Sequence, residues 1–149
     1  MTRHRSDRGQ VAGIEVLPFG FLVFVVATLV LANAWSIVDA RLAVGAAARE
    51  GGRAAVERDD PDAAVDAAAT LALDVLAGHG GRLEDPTVAI AVDGQWRRCA
   101  RVTVTVAATV PAVALPFVKG LGTRQVRADH TELVDPFRGG LAGTAACDG

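Results

Sequence analysis

A single uncharged, apolar stretch runs from Val16 to Val38 near the beginning of this 149-residue chain. A helix rises about 1.5 Å per residue, so a helix over this stretch is about 35 Å long, enough to cross the hydrocarbon core of a bilayer. The stretch therefore predicts one membrane-spanning helix and leaves only a small domain outside the lipid. One carboxylate, Glu15, stands immediately before it.

The two flanks of the apolar stretch differ in charge. The short N-terminal head carries Arg3, Arg5 and Arg8, whereas acidic residues outnumber basic ones after Val38. Because positive charge favours the cytoplasmic side of a membrane, we expect a single-pass protein of the cell membrane with a cytoplasmic N-terminus and an extracytoplasmic C-terminal domain. The sequence has no basic patch with interleaved aromatic residues, so nucleic-acid binding is not expected.

A secretory signal peptide is the alternative to a retained anchor. The segment Ala32-Asn33-Ala34 has the A-x-A form of a cleavage site, and cleavage after Ala34 would release the rest of the chain. The apolar run continues past this site through Val38, and the region before it is long for a signal peptide. These two features favour the anchor, in which Trp35 lies at the outer membrane interface.

The first helix is expected to continue beyond the membrane to about Glu57, because no proline interrupts this part of the chain. Gly51-Gly52 is a point at which this helix could bend, since glycine is a poor helix former. Small residues recur along one face of the outer half, namely Ala40, Ala43, Ala47 and Gly51.

The remainder predicts a second helix and a small three-stranded antiparallel sheet, which makes the fold class α+β. Asp60 can cap a helix that begins at Pro61 and ends near Ala77. Its expected apolar face consists of Val65, Ala69, Ala72 and Leu76.

Alternating valines and the turn signal Asp93-Gly94 predict an antiparallel hairpin with one buried face, beginning at Thr87. A third strand is expected over residues 125–134, and the proline-containing segment 110–121 is expected to be a loop. The predicted divisions are a basic head (1–13), a transmembrane helix (14–38), an extracytoplasmic domain (39–138) and a flexible tail (139–149).

Few residues that carry chemistry lie outside the apolar stretch. No serine follows Ser36, which argues against a Ser-His-Asp hydrolase, and no closely spaced Cys/His pairs suggest zinc. We therefore expect no enzymatic activity, no cofactor and no small-molecule substrate. Two acidic groups have simpler interpretations: the aspartates at 59, 60 and 62 mark a helix start, and Asp129, His130 and Glu132 lie on a solvated strand.

Three further features have two interpretations each. Cys99 and Cys147 would lie in an oxidising compartment, where either a disulfide or two free thiols fit the sequence. Glu15 either stays hydrated near headgroups or pairs with a positive group of a neighbouring subunit. Ala32, Ser36 and Ala40 form a small-xxx-small row. Such a row allows close approach of helices in the membrane, but the abundance of alanine in this chain also explains why the row is present.

The run from Arg8 to Glu15, RGQVAGIE, leads directly into the apolar helix and resembles the N-terminus of TadE-like proteins. These are pilin-like components of the tight-adherence (Flp) pilus system, and the likeness is to the form found in high-GC Gram-positive bacteria. The similar segments further along the chain are 17–20, 32–35, 39–44, 47–50 and 134–138. The resemblance implies a pilin-like fold and a structural or assembly role, with the lipid bilayer, other pilin-like subunits and the pilus assembly machinery as partners.

The resemblance also suggests roles for individual residues. Glu15 looks like the pilin carboxylate that pairs with the N-terminal amine of a neighbouring subunit, and Gly9 looks like the residue before a prepilin-peptidase cut. Cleavage between Gly9 and Gln10 would place Glu15 sixth in the mature chain, one position later than is usual in pilins, so an uncut assembly factor is the alternative. A different class of function is a small envelope-binding domain, anchored or released, with no role in a pilus.

Overall fold

The computed structural model describes residues 16–80, 83–112 and 122–147, and these form an α+β arrangement with a three-stranded antiparallel sheet, which confirms the predicted class. The chain divides into two compact units, one ending at Trp35 and the other beginning at Ser36. The predicted start of the transmembrane helix, at residue 14, lies outside the described residues. The elements are α1 (Val16–Val56), α2 (Pro61–Gly78), β1 (Glu84–Val92), β2 (Arg101–Pro111) and β3 (Thr123–Leu133).

Helix α1 ends at Val56, one residue before the predicted end, and its predicted stripe of small residues is buried. The helix runs unbroken through Gly51-Gly52, so the expected weak point is instead a packing position. A Cβ on Gly51 would lie 3.1 Å from the carbonyl oxygen of Ala68 and 3.4 Å from a methyl group of Val104. Glycine therefore permits α1 to approach both α2 and the sheet closely.

Helix α2 begins as predicted, because the side chain of Asp60 accepts a hydrogen bond of 2.9 Å from the backbone N–H of Ala63. Its buried face was predicted only in part. Ala72 and Leu76 are buried, but Val65 is 45% exposed and Ala64 lies in the core instead. The buried residues recur every four positions, at 64, 68, 72 and 76. Gly51 of α1 lies against Ala68 and Ala72, so only small side chains fit at those two positions.

The sheet has the order β1-β2-β3, with β2 paired antiparallel to both neighbours. The predicted hairpin is confirmed, but its connection spans residues 93–100 rather than two residues. Asp93-Gly94 begins this connection, and the N–H of Asp93 donates to the carbonyl of Arg101. Strand β2 also extends through Val110 and Pro111, which were predicted to lie in a loop, while residues 113–121 lie outside the described part of the chain.

The core of the second unit lies between the helices and one face of the sheet. On β2 the side chains of Val102, Val104 and Val106 are fully buried, and the alternate positions between them are more exposed. Alanines from α1 and α2 complete this core. The small side chains explain how two helices pack tightly on a sheet of only three strands.

Candidate functional site

The N-terminal part of α1 exposes large apolar side chains all around the helix. Among the described residues, α1 is the helix that is long and apolar enough to cross a membrane, and its most apolar window is not buried. A core helix of a water-soluble protein would be covered, so this exposure is typical of a helix that meets lipid or a partner. The side chains more than half exposed are Val16, Leu17, Phe19, Phe21, Leu22, Val23, Phe24, Val26, Val30, Leu31 and Trp35.

Two polar side chains within this part of α1 bond to the helix itself. The hydroxyl of Thr28 donates to the carbonyl of Phe24, and the amide of Asn33 donates to the carbonyl of Leu29, each at 2.9 Å. A polar group inside a bilayer needs an internal partner because lipid offers none. Both residues are therefore compatible with a membrane-spanning helix.

The residues predicted for helix association do not form one accessible row. Ala32 is exposed and Ser36 is half-buried, but Ala40 is only 4% exposed and belongs to the core of the second unit. Ala40 is therefore covered within its own unit, and association of neighbouring helices through this row stays a prediction. Glu15 and the proposed processing site, Gly9 and Gln10, lie outside the described residues.

Cys99 and Cys147 form a disulfide, with their Cα atoms 5.3 Å apart. The C-terminal segment, predicted to be flexible, is therefore fastened to the connection between β1 and β2. The N–H of Arg98 also donates to the carbonyl of Ala142 at 2.9 Å, and Leu141 packs against the core. The glycine and alanine content of the segment suggested mobility, but these contacts fix residues 139–147 to the unit.

Arg138 holds the C-terminal end of α1. Its guanidinium group donates to the backbone carbonyls of Val56 and Glu57, and it pairs with the carboxylate of Asp59 at 2.9 Å. The last carbonyls of a helix have no partner within the helix, and a cation there also interacts favourably with the helix dipole. Sequence reasoning missed this role, since only the family resemblance drew attention to residues 134–138.

His130 and Glu132 differ from their predicted setting on a solvated strand. His130 Nε2 and Glu132 Oε1 are 2.8 Å apart, and both side chains lie over Gly52 of α1, about one third exposed. They share the face of β3 that meets the helices, because His130 is paired with the buried Val104. The absence of a side chain at Gly52 provides the space for this pair.

Asp129 lies on the opposite, open face of the sheet, where it is exposed. The hydroxyl of Thr105 donates a hydrogen bond to its carboxylate, and Arg127 pairs with the same oxygen at 3.0 Å. These two partners favour the ionised form and hold the pKa of Asp129 below its ordinary value. On the same face, the hydroxyls of Thr103 and Thr131 are 2.8 Å apart.

The described residues contain no group of three side chains suited to bind a metal ion. Each aspartate near the start of α2 has a structural explanation: Asp60 caps the helix, Asp59 pairs with Arg138, and Asp62 lies in the first turn. Both cysteines are in the disulfide, so neither is available as a thiolate nucleophile.

A groove of about 520 Å³ is lined by residues of α2, by the end of α1 and by the turn that joins them. We call it the α1–α2 groove. Alanines line much of it, and charged side chains stand along its length. Its lining includes Ala54 of α1, Arg58 of the turn that follows α1, and Asp66, Ala67, Thr70 and Asp74 of α2.

The fold and these features define a chain with a long, apolar, exposed N-terminal helix that continues into a disulfide-bonded α+β unit. Comparisons with protein-family models, with curated proteins and with solved structures find no match to this chain.

Proposed function

We propose that this chain is a pilin-like, TadE-type structural or assembly component of a tight-adherence pilus or a related secretion system. The observation that carries the proposal is α1 itself. One continuous helix exposes large apolar side chains in its first part and supplies buried small residues to the α+β unit in its second part. This combination suits a subunit whose anchor and folded domain share one helix.

In this proposal the first part of α1 spans the cell membrane with its N-terminus in the cytoplasm. The arginines of the head support that orientation. The disulfide between Cys99 and Cys147 fits an oxidising exterior. Glu15 then pairs with a positive group of a neighbouring subunit, since a carboxylate at the membrane edge needs a partner.

The proposed role is mechanical rather than catalytic. The chain would act through contacts with lipid, with other pilin-like subunits and with the assembly machinery. The disulfide between Cys99 and Cys147 supports this role, because it occupies both thiols with which a cysteine nucleophile would act.

Deletion and complementation in the source cell test the proposal. Deletion is expected to abolish surface pili, and the unaltered gene is expected to restore them. A Glu15→Ala variant is expected to fail, while Glu15→Asp, which keeps the carboxylate, is expected to restore pili in part. Undiminished pili after deletion would refute the proposed function.

Two biochemical measurements test the membrane anchor and the processing of the N-terminus. Carbonate extraction is expected to leave the chain in the membrane pellet, and recovery in the supernatant would refute the anchor. The intact mass of the purified protein distinguishes a chain cut after Gly9 from an uncut assembly factor.

A released or anchored envelope-binding domain is the second candidate, and one observation favours it. The second unit begins at Ser36, two residues after the A-x-A segment ending at Ala34, so cleavage there would leave that unit whole. Pili that are unchanged on deletion, together with loss of binding to an envelope ligand, would support this candidate.

A further inference from the structure

The α1–α2 groove is acidic along its α2 wall. Asp66, Thr70 and Asp74 follow one another at intervals of four residues, and α2 is a regular helix, so they lie along the groove in a row. Both aspartates are exposed and neither forms an ion pair within the described chain. Arg58 stands in the same groove, so two carboxylates face one guanidinium group.

Helix α1 carries a basic row with the same spacing. Arg41, Gly45 and Arg49 also follow at intervals of four residues, and both arginines are exposed without an ion pair among the described residues. Beside them, Leu42 is 65% exposed. We call this surface the basic face of α1. Both rows therefore place two like charges about 12 Å apart, with a small residue halfway between them.

The basic face and the groove lie on opposite sides of α1. Gly45 precedes Ala54 by nine residues, which at about 3.6 residues per turn is two and a half turns. A chain therefore cannot place its own basic face in its own groove. Two such complementary surfaces on different sides of one molecule produce a head-to-tail contact that can repeat.

We infer that the basic face of α1 in one copy docks in the α1–α2 groove of a second copy of this chain, with Arg41 facing Asp74 and Arg49 facing Asp66. This inference rests on the proposed assembly role, which it deepens by naming the partner and the surfaces. Gly45 then meets Thr70. The guanidinium group of Arg49, which lies over Gly45 within one copy, turns toward Asp66, and the missing side chain of Gly45 then permits close approach of the two helices. Leu42 then lies at the Asp74 end of the groove, beside Leu71.

The pairing also predicts how far successive copies are displaced along α1. Within one copy, Gly51 lies against Ala68 and Ala72, and so level with Thr70. The neighbour contacts the same Thr70 through Gly45, six residues earlier in its own helix. At 1.5 Å per residue this corresponds to a displacement of about 9 Å between neighbouring copies.

Cysteine cross-linking in membranes of the full-length chain tests this contact. One differently tagged copy carries Gly45→Cys and the other carries Thr70→Cys, and a short bis-maleimide joins free thiols while sparing the native disulfide. A cross-linked pair bearing both tags is expected. The matched control pairs Gly45→Cys with Val65→Cys, because Val65 is also exposed on α2 but does not line the groove.

Charge reversal provides the second measurement. Reversing the basic face with R41D and R49D is expected to reduce the yield of the mixed pair by about fivefold, the effect of losing two exposed ion pairs. Adding D66R and D74R to the other copy is expected to restore it. Formation of the native disulfide in each variant confirms that it has folded.

The outcomes separate this contact from the proposed function. Equal cross-linking through Thr70→Cys and Val65→Cys, or no rescue by the reversed groove, would overturn the contact even if deletion abolishes pili. Specific cross-linking with rescue would support the contact, and if deletion nevertheless left pili unchanged, the pilus role alone would be refuted.

Discussion

Alanine substitutions at two glycines of α1 should change stability in opposite directions. Gly45 and Gly51 occupy the same helix, so each substitution by alanine gains about 1 kcal/mol of helix propensity. They differ in what the added methyl group meets. At Gly45 the nearest atom is the end of the flexible side chain of Arg49, 3.6 Å away, which is an ordinary contact.

At Gly51 the added methyl group would lie 3.1 Å from the backbone oxygen of Ala68 and 3.4 Å from atoms of Ala72 and Val104. A backbone oxygen can move only if α2 moves, so the overpacking cost should be about 2–3 kcal/mol. After the gain in helix propensity, Gly51→Ala should destabilise the unit by about 1–2 kcal/mol. The two variants should therefore differ by about 2–3 kcal/mol in the free energy of unfolding.

Urea denaturation of the full chain in dilute detergent measures this difference. Trp96 packs against the core and reports unfolding of the second unit, whereas Trp35 is 75% exposed on the apolar part of α1. A Trp35→Phe background therefore gives a fluorescence signal from the second unit alone. Gly45→Ala should raise the midpoint and Gly51→Ala should lower it. The close approach of α1 and α2 at Gly51 would be refuted if Gly51→Ala matched or exceeded Gly45→Ala in stability.

Three further predictions concern the contacts that hold the second unit together. Replacing Cys99 and Cys147 by serine removes a cross-link between residues 48 apart in sequence and should lower the free energy of unfolding by about 4 kcal/mol. Thermal unfolding with and without reductant measures this loss, and an unchanged midpoint would contradict a cross-link that constrains the unfolded chain. Arg138→Met removes the hydrogen-bond donor to the last carbonyls of α1 and should lower the free energy of unfolding by about 2 kcal/mol in the same assay. The control Arg127→Met, at an exposed position, should lower it by under about 1 kcal/mol, and equal losses would argue against capping of α1 by Arg138. Thr105→Val should raise the pKa of Asp129, which NMR titration of its carboxyl carbon measures. Because the pKa of Asp129 is lowered in the folded chain, its stabilisation is present above the pKa of the unfolded chain and is lost as the pH falls through the pKa of the folded chain.

The predictable parts of the fold are those in which local pattern and tertiary packing agree. The alternation of valine with threonine and arginine fixed which face of β2 would be buried, since side chains of a strand point alternately to its two faces. Asp60-Pro61 gave the start of α2 because an acceptor side chain and a fixed backbone angle both suit that position.

The parts that could not be predicted depend on contacts between distant residues. Helix α2 is so rich in alanine that turning it by one residue exchanges Ala64 for Val65 at little cost in buried area. The close approach at Gly51 decides between these two faces, and that approach is a property of the assembled unit. For the same reason the pairing of Cys99 with Cys147 and the capping of α1 by Arg138 have no local signal.

The distribution of residue size along α1 supports the proposal that its first part is an anchor and its second part belongs to the α+β unit. From Ala40 onward the buried side chains are small, except for Val44, because this part of the helix must approach α2 and the sheet closely. Between Val16 and Trp35 many of the exposed side chains are large and apolar, and nothing in the described chain covers them. In a water-soluble chain, polar residues at these positions would reduce aggregation, which exposed apolar area of this extent favours. The size pattern therefore indicates that the first part of α1 is adapted to an apolar environment supplied from outside the described chain, and this is compatible with a membrane anchor.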